Sequence, residues 1–332
     1  MPTLWFSYSL PGGNLDCDEP LSSPYSLSWH VGRMLREKAA DIGYAFQYVN
    51  LDSVEPVTFN PDDVVIGHVW DTPGSFMQQA LSAAIKAKIV LQPYSHGMVS
   101  AGDVARYIEM FERADALLFV TGEYWYSTMP DSPFAALVDK VTRVDMAVNT
   151  ALHPFNKTNW NPPGERAVVV IGHDTPTKGY RHVAELARVA GFRLGHIGSA
   201  DPATFEHVPC MTFHGGMLFT PETIARVCQS YDALIAMPGT DGADANPTVL
   251  LEAAAWGLTV YCDVHAGYLP GQPFRELRLN DMAFNVRQMR AFQTENEYDL
   301  LADSIALCNK AHDDYTFERM NQTIWQKVEA YL

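Results

Sequence analysis

The chain has 332 residues, which is enough for two domains that each bury a core of their own. Hydrophobic residues make up 47% and charged residues 19%, a balance typical of a folded globular protein and not of a disordered one. The net charge of -16, from 39 acidic and 23 basic residues, argues against a broad surface for nucleic acid or anionic membrane. The net charge does not exclude a local basic patch, but it makes nucleic acid a disfavoured partner.

Cysteine content and the N-terminal residues point to a compartment. The odd number of five scattered cysteines, without zinc-like spacing, favours reduced thiols in the core. Residues 1–6 show no basic region leading into an apolar stretch, so we expect no signal peptide. No run approaches the roughly 20 apolar residues of a membrane span. We therefore expect a cytoplasmic protein without disulfides or a transmembrane segment.

Short apolar runs alternate with helical patterns from one end of the chain to the other. The first half contains predicted strands at 4–7, 46–51, 64–69, 88–93, 116–121 and 141–148. The second half contains predicted strands at 167–172, 193–198, 210–214, 233–237, 258–262 and 282–286. Strands that alternate with helices predict parallel sheets covered by helices on both faces.

The predicted fold is α/β, with two doubly wound Rossmann-like domains. The N-terminal domain covers 1–155 and the C-terminal domain 165–314, on either side of a polar, Pro-rich linker at 153–164. Residues 315–332 form a predicted helix that could pack back on the N-terminal domain. Doubly wound domains bind ligands at the carboxyl ends of their strands. If those ends face each other, the cleft between the domains is the site.

The segment 237–257 is the most informative part of the chain. It predicts a strand end, a loop with two acids and a helix that Asn246 caps, Pro247 opens and Gly257 ends. Glu252 lies within an apolar run of that helix and needs a partner, because burying a lone carboxylate is costly. Asp244 precedes the helix N-terminus, a place that attracts anions. Such a site suits a nucleotide-diphosphate sugar; the alternative is a buried helix whose Glu252 pairs with an Arg or Lys.

Two further loops follow predicted strands and have the composition of phosphate sites. Gly12 and Gly13 would let the backbone approach a phosphate or sugar closely, although an ordinary turn explains them equally. The Gly-x-Gly-x-x-Gly fingerprint of dinucleotide sites is absent there. Lys178 lies in a strand-to-helix loop, where it could neutralise a diphosphate or be a solvated surface residue.

Other candidates are single residues or short turns. His96 and His68 each follow a predicted strand of the first domain, a position that is more often structural than catalytic. Gly215 lies in a Gly-Gly turn after a strand of the second domain. Asp16 and Asp18 have the Asp-x-Asp form of a metal-diphosphate site, but their acidic loop lacks the strand context that such a site needs. We therefore predict no catalytic metal.

These motifs together resemble the retaining glycosyltransferases of the glycogen synthase and phosphatidylinositol mannosyltransferase type (glycosyl transferases group 1), in the glycosyltransferase-B group. That family has two Glu separated by seven residues, and here Asp244 and Glu252 stand at those positions with the same spacing. Lys178 matches the Lys of the family's Lys-Gly loop, whereas His173 replaces the family's Arg. The family's Gly-rich loop between the two acids is replaced by Ala245-Asn246-Pro247.

The resemblance implies roles for individual residues. Asp244 would contact the hydroxyls of the donor sugar, Lys178 would grip the diphosphate, and His96 would contact the donor sugar. The residues implied in holding the nucleotide sugar are Gly12, Gly13, His173, Lys178, Gly215, Asn246, Pro247, Thr248 and Glu252. The leaving diphosphate itself would take the proton of the acceptor, so no strong protein base is needed. Lys178 and the helix start at Asn246 would supply positive potential for the diphosphate, so we expect no metal and no cofactor.

The predicted function is transfer of a sugar, with retention, from a nucleotide-diphosphate sugar resembling UDP-glucose to an acceptor hydroxyl. The alternative is a non-catalytic subunit that binds nucleotide sugars or a partner. A dehydrogenase fits less well, since its glycine fingerprint is missing. The sequence does not identify the acceptor; its aromatic-rich loop at 122–126 could stack on a sugar or pack into a core.

Overall fold

The computed structural model describes residues 1–10, 14–17, 23–172, 178–198, 211–213, 220–238, 244–245 and 247–332, with only the main chain at 23–25 and 211–213. The chain forms two compact units. The first comprises 1–121, 126–147 and 317–332, and the second comprises 122–125 and 148–316.

The helices alternate with the strands as the sequence pattern predicts. They are α1 Ser23–Asp41, α2 Phe76–Ser82, α3 Val104–Glu112, α4 Glu123–Thr128, α5 Tyr180–Ala190, α6 Pro221–Ser230, α7 Thr248–Trp256, α8 Met282–Thr294, α9 Glu297–Asp314 and α10 Phe317–Glu329. Within the described residues, none of these helices has both the length and the apolar character needed to cross a membrane.

The first unit is built on a parallel sheet in the order β2-β1-β3-β4-β5-β6. Its strands are β1 Thr3–Tyr8, β2 Ala45–Asn50, β3 Val64–Gly67, β4 Ala87–Pro93, β5 Ala116–Val120 and β6 Val141–Val144. Both faces of the sheet are buried, because Val64 and Ile66 of β3 belong to one hydrophobic cluster and Val65 to another. The first cluster includes Phe317 and Ile324 of α10, so the C-terminal helix is part of this unit.

The second unit has the strand order β12-β11-β10-β7-β8-β9, again parallel. Its strands are β7 Ala167–Ile171, β8 Arg193–Ile197, β9 Met211–Phe213, β10 Ala233–Ala236, β11 Thr259–Cys262 and β12 Arg275–Glu276. Counted from its own first strand, this is the order of the Rossmann fold. The direction of winding reverses between β7 and β10, which places the binding crevice of such a sheet at their carboxyl ends.

One predicted strand, 282–286, is wrong, because these residues form the start of α8. The Asp281 carboxylate accepts a hydrogen bond from the Phe284 N–H and so caps the helix. Val286, Met289 and Phe292 are buried at helical spacing. Packing of this apolar face favours a helix over a strand here. The sequence pattern also did not predict β12, a strand of two residues.

The predicted linker is bound into the second unit by a buried ion pair. The Lys157 ammonium group donates to the Asp232 carboxylate at 2.9 Å and to the carbonyls of Cys228 and Tyr231 at 2.8 Å each. The Asp232 carboxylate also accepts bonds from Asn161, so the charges are paired and hydrogen-bonded. Both side chains are fully buried, and this complete set of partners offsets their desolvation.

Candidate functional site

A cavity opens in the second unit where the winding of the sheet reverses. Ile171 at the end of β7 and Met237 just after β10 line one part of it. Pro247 and Val249, at the start of α7, line another part. The cavity therefore lies at the carboxyl ends of the strands, where ligands bind to sheets of this kind.

The turn before α5 holds Lys178 against the end of β10. Gly179 has a φ of 63° and precedes α5 directly. A Cβ atom at Gly179 would lie 2.2 Å from the Met237 carbonyl oxygen and 2.6 Å from that of Pro238. Only glycine fits this close approach, so the Lys-Gly pair of the sequence motif sets the position of the Lys178 side chain in the cavity.

Lys178 and Asp244 form an ion pair in this cavity. The Lys178 Nζ atom lies 2.5 Å from Asp244 Oδ2, and the side chains are 36% and 26% exposed, respectively. Among the lining residues that the structure describes, Lys178 is the only one with a cationic side chain. Each residue thus largely neutralises the other, and a phosphate ligand would compete with Asp244 for Lys178.

The main chain of Asp244 is fixed on both sides within the second unit. Its N–H donates to the His265 carbonyl at 3.0 Å, and its carbonyl accepts from the Trp125 indole N–H at 2.9 Å. Trp125 is buried, so this residue of the aromatic-rich loop packs instead of presenting a free face. These bonds restrict the positions that the Asp244 carboxylate can take beside Lys178.

An Asp–His pair follows β11, next to Asp244. Asp263 is 3% exposed, and its Oδ1 accepts bonds from the His265 Nδ1 at 2.5 Å and the His265 N–H at 2.8 Å. Its Oδ2 accepts a bond from the Leu279 N–H at 2.6 Å. Burial alone would raise the pKa of the Asp263 carboxyl, but these hydrogen bonds outweigh it and the pKa is lowered. The bond to Asp263 raises the pKa of His265 despite partial burial, which favours the imidazolium form.

The helix α7 begins at Thr248, one residue later than predicted, so Pro247 precedes its first turn. Pro247 has no side-chain acceptor for the N–H groups of that turn, which are the donors that anions use at a helix start. The helix ends at Gly257, as predicted, with a φ of 90°. A helix start without a side-chain cap thus borders the cavity.

Glu252, in the middle of α7, is 3% exposed and lies against a histidine. Its Oε1 atom is 3.7 Å from Nε2 of His153, and Nδ1 of His153 accepts a bond from the Trp256 indole N–H at 2.9 Å. Burial lowers the pKa of His153 to about 4, so the ring is neutral and its proton resides on Nε2, facing Glu252. The described contact of the Glu252 carboxylate is therefore with a neutral imidazole.

The histidine candidates of the first unit lie after its strands. His96 begins a short 3-10 helix three residues beyond β4, and its half-buried ring lies 6.2 Å from that of Tyr94. His68 follows β3, and its ring lies 5.3 Å from that of Tyr8. Burial lowers the pKa of His68 to about 4, so this residue is neutral at physiological pH.

Several predicted site residues lie outside the described residues: Gly12, Gly13, His173, Gly215 and Asn246. Asp18 also lies outside them, whereas Asp16 is an exposed residue paired with Arg36 at 2.5 Å. The described residues contain no group of three or more His, Cys, Asp or Glu side chains able to hold a metal ion. Cys17, Cys228, Cys262 and Cys308 are free thiols.

No protein-family model matches the chain, and no curated protein matches it in sequence. Solved structures do match. A glycosyltransferase from Rickettsia africae superposes with a TM-score of 0.64 at 10% identity, over 99% of this chain and 97% of that one. The Anabaena protein HepE, solved with UDP and glucose, has a TM-score of 0.59 at 10% identity, over 99% and 100%. A trehalose-6-phosphate synthase has a TM-score of 0.64 at 9% identity, over 99% and 93%.

The chain has the glycosyltransferase-B fold. The predicted fold class, two doubly wound Rossmann-like domains, is confirmed by the strand orders and by these similar structures.

Within this glycosyltransferase-B fold, two residues near the cavity escaped the sequence analysis. Asp263 and His265 are two positions apart, directly after β11, and Ala266 next to them lines the cavity. The sequence contained a signal for them, because Asp263 and His265 directly follow a strand of the same parallel sheet whose strand ends precede Lys178 and Asp244. His153 was overlooked because its contact with Glu252 depends on how residues near 153 pack on α7.

Proposed function

We propose that the protein transfers a sugar, with retention of the anomeric configuration, from a nucleotide-diphosphate sugar to an acceptor hydroxyl. The donor is of the UDP-glucose kind. Support comes from the fold, from the crevice at the point where the winding reverses, and from the charged residues there. The similar Anabaena protein was solved with UDP and glucose, and the trehalose-6-phosphate synthase structure concerns glycosyl transfer with retention.

The observation that carries the proposal is the meeting of Lys178 and Asp244 in one cavity. They come from separate motifs 66 residues apart, and their side chains approach to 2.5 Å. One motif predicts a cation for the diphosphate, and the other predicts an acid for the sugar. A ligand in which phosphate and sugar hydroxyls are adjacent would use both residues at once.

The reaction chemistry follows from these charges. As the glycosidic bond breaks, negative charge grows on the leaving diphosphate, so Lys178 stabilises the transition state more than the ground state. Asp244, released from Lys178, accepts hydrogen bonds from the sugar hydroxyls. The diphosphate takes the acceptor proton on the face where it departs, and the acceptor oxygen bonds to the anomeric carbon from that same face.

The remaining donor contacts involve α7. The N–H groups at its start bind the diphosphate beside Lys178. Glu252 accepts hydrogen bonds from the ribose hydroxyls. By the resemblance, His96 contacts the donor sugar. No metal or cofactor is required in this scheme, since the positive charge comes from the protein.

Calorimetry across a panel of nucleotides and nucleotide sugars, followed by donor turnover assays, tests the proposal. Glu252→Gln should weaken nucleotide binding roughly 10- to 100-fold, because a hydrogen bond to a charged group is worth about 1.5–3 kcal/mol. Glu276→Gln is a matched control, a carboxylate of the same unit that pairs with Arg278 at 2.7 Å. If Glu252→Gln binds and turns over every donor like the wild type, Glu252 is a structural acid and its donor role is wrong.

A second candidate function is a non-catalytic subunit that binds nucleotide sugars. The observation in its favour is that Lys178 and Asp244 neutralise each other and that Glu252 is buried against His153. Tight binding of a nucleotide sugar without its consumption, across a panel of acceptors, would establish this alternative.

A further inference from the structure

The Asp263–His265 pair has the construction of an anion-binding group. The proton on Nδ1 of His265 is directed to Asp263 at 2.5 Å, which leaves Nε2 as the ring nitrogen that can meet a ligand. The His265 side chain is 37% exposed, whereas that of Asp263 is 4% exposed. A buried carboxylate thus orients an accessible imidazole, as acidic partners do for histidines that bind ligands through their other nitrogen.

The pair lies beside the cavity. The His265 carbonyl accepts the Asp244 N–H at 3.0 Å, and Ala266, the next residue, lines the cavity. The main chain of His265 is therefore hydrogen-bonded to that of Asp244, which pairs with Lys178, and His265 is one position away from a residue that lines the cavity.

A further cation near Lys178 would favour binding of a diphosphate. Asp244 compensates Lys178, and among the described lining residues no other side chain is cationic. The diphosphate of a nucleotide sugar carries about two negative charges at neutral pH, because each phosphate has one ester link and the shared anhydride link and so keeps one ionised oxygen. Lys178 is already paired with Asp244, and an imidazolium at His265 adds positive charge on the same side of the cavity.

We propose that His265, positioned by Asp263, binds the diphosphate of the nucleotide sugar and makes donor binding depend on pH. This inference rests on the proposed function and assigns a residue that the sequence motifs do not include. Asp263 acts through His265 and is its positioning residue.

The direction of the pH dependence follows from the groups around His265. Asp263 stabilises the imidazolium, and the ring of Tyr124, 5.7 Å away, stays a neutral phenol because burial and the charge of Asp263 raise its pKa. Asp244, whose N–H donates to the His265 carbonyl, is paired with Lys178, so the charges of these two residues largely cancel. As the pH rises through the raised pKa of His265, the ring loses its charge. Donor affinity should then fall.

The test is calorimetry with the nucleotide sugar that binds the wild type most tightly, between about pH 5.5 and 9. A nucleotide sugar is the correct probe, since the terminal phosphate of a free nucleoside diphosphate titrates near pH 6 and gains charge in the opposite direction. We expect wild-type affinity to fall roughly tenfold or more as the pH rises. In His265→Gln the affinity should be low and independent of pH. His312→Gln, on α9, is the control and should behave like the wild type.

A second variant and a spectroscopic measurement separate this role from a structural one. Asp263→Asn should move the midpoint of the pH dependence to lower pH without abolishing it. The C2 proton resonance that His265→Gln removes should report a higher His265 pKa when the nucleotide sugar is bound, because linkage is reciprocal. An unchanged pH profile in His265→Gln, with normal binding in the wild type, would overturn this inference and leave the proposed function intact. If the wild type binds no nucleotide sugar, both are overturned.

Discussion

Replacing Asp244 with asparagine should change the binding of two ligands in opposite directions. The substitution keeps the shape of the side chain but removes the charge that neutralises Lys178 at 2.5 Å. A nucleoside diphosphate no longer competes with a carboxylate for Lys178, so it should bind more tightly. A nucleotide sugar loses the acid for its hydroxyls, so turnover should fall.

The exposure of the pair sets the size of both effects. Lys178 and Asp244 are 36% and 26% exposed, and pairs this accessible stabilise by about 0.2–1 kcal/mol. Releasing Lys178 should therefore strengthen nucleoside diphosphate binding by up to about fivefold. Loss of hydrogen bonds between sugar hydroxyls and a carboxylate, each worth about 1.5–3 kcal/mol, should lower turnover at least tenfold.

Calorimetry with the nucleoside diphosphate and steady-state kinetics with the nucleotide sugar measure the two effects. Asp314→Asn is the matched control, because Asp314 pairs with Lys310 at 3.0 Å on the surface of α9, with side chains 40% and 44% exposed. That variant should change neither quantity. If Asp244→Asn instead weakens the binding of the nucleoside diphosphate as well as lowering turnover of the nucleotide sugar, Asp244 and the diphosphate do not compete for Lys178.

Three further predictions concern charge. Lys178→Ala should lower turnover far more than affinity for the bare nucleoside, with Lys310→Ala as the control; wild-type kinetics would make Lys178 a surface residue. Exhaustive chelation should leave activity largely intact, and loss of activity that magnesium or manganese restores would instead point to a metal-bound diphosphate. Burial holds the pKa of His153 near 4, below its usual 6.5, so the unfolded chain takes up the proton first and stability falls as the pH drops from 6.5 to 4. His153→Gln should remove about 3 kcal/mol of that decline in denaturant titrations, and an identical decline in both proteins would contradict a neutral buried His153.

The fold was predictable from periodicity, since buried strands and amphipathic helices alternate along both halves. The run at 282–286 shows where this reasoning failed. Five residues of mixed apolar character fit either a strand or one turn of a helix. The helix start signal was Asp281, whose carboxylate accepts the Phe284 N–H.

The candidate site was predictable in part. The loop and helix-start motifs and the family spacing led to Lys178 and Asp244, and the structure places both in one cavity. Their direct pairing was not predictable, because it depends on the fit of Gly179 against Met237 across the sheet. The contact of Glu252 with His153 likewise arises from packing between distant segments. The assigned roles of these residues stay predictions.

The buried pair of Lys157 and Asp232 decides where the second unit can be cut free for expression. A fragment that starts at residue 165, the boundary that the sequence favours, would lack Lys157 and leave the fully buried Asp232 carboxylate without its cation. Removing one partner of such a pair costs about 3–5 kcal/mol, which is a large part of the stability of a domain this size. A fragment beginning at 148, where the longer segment of the compact unit begins, keeps both partners. It also keeps His153 beside Glu252.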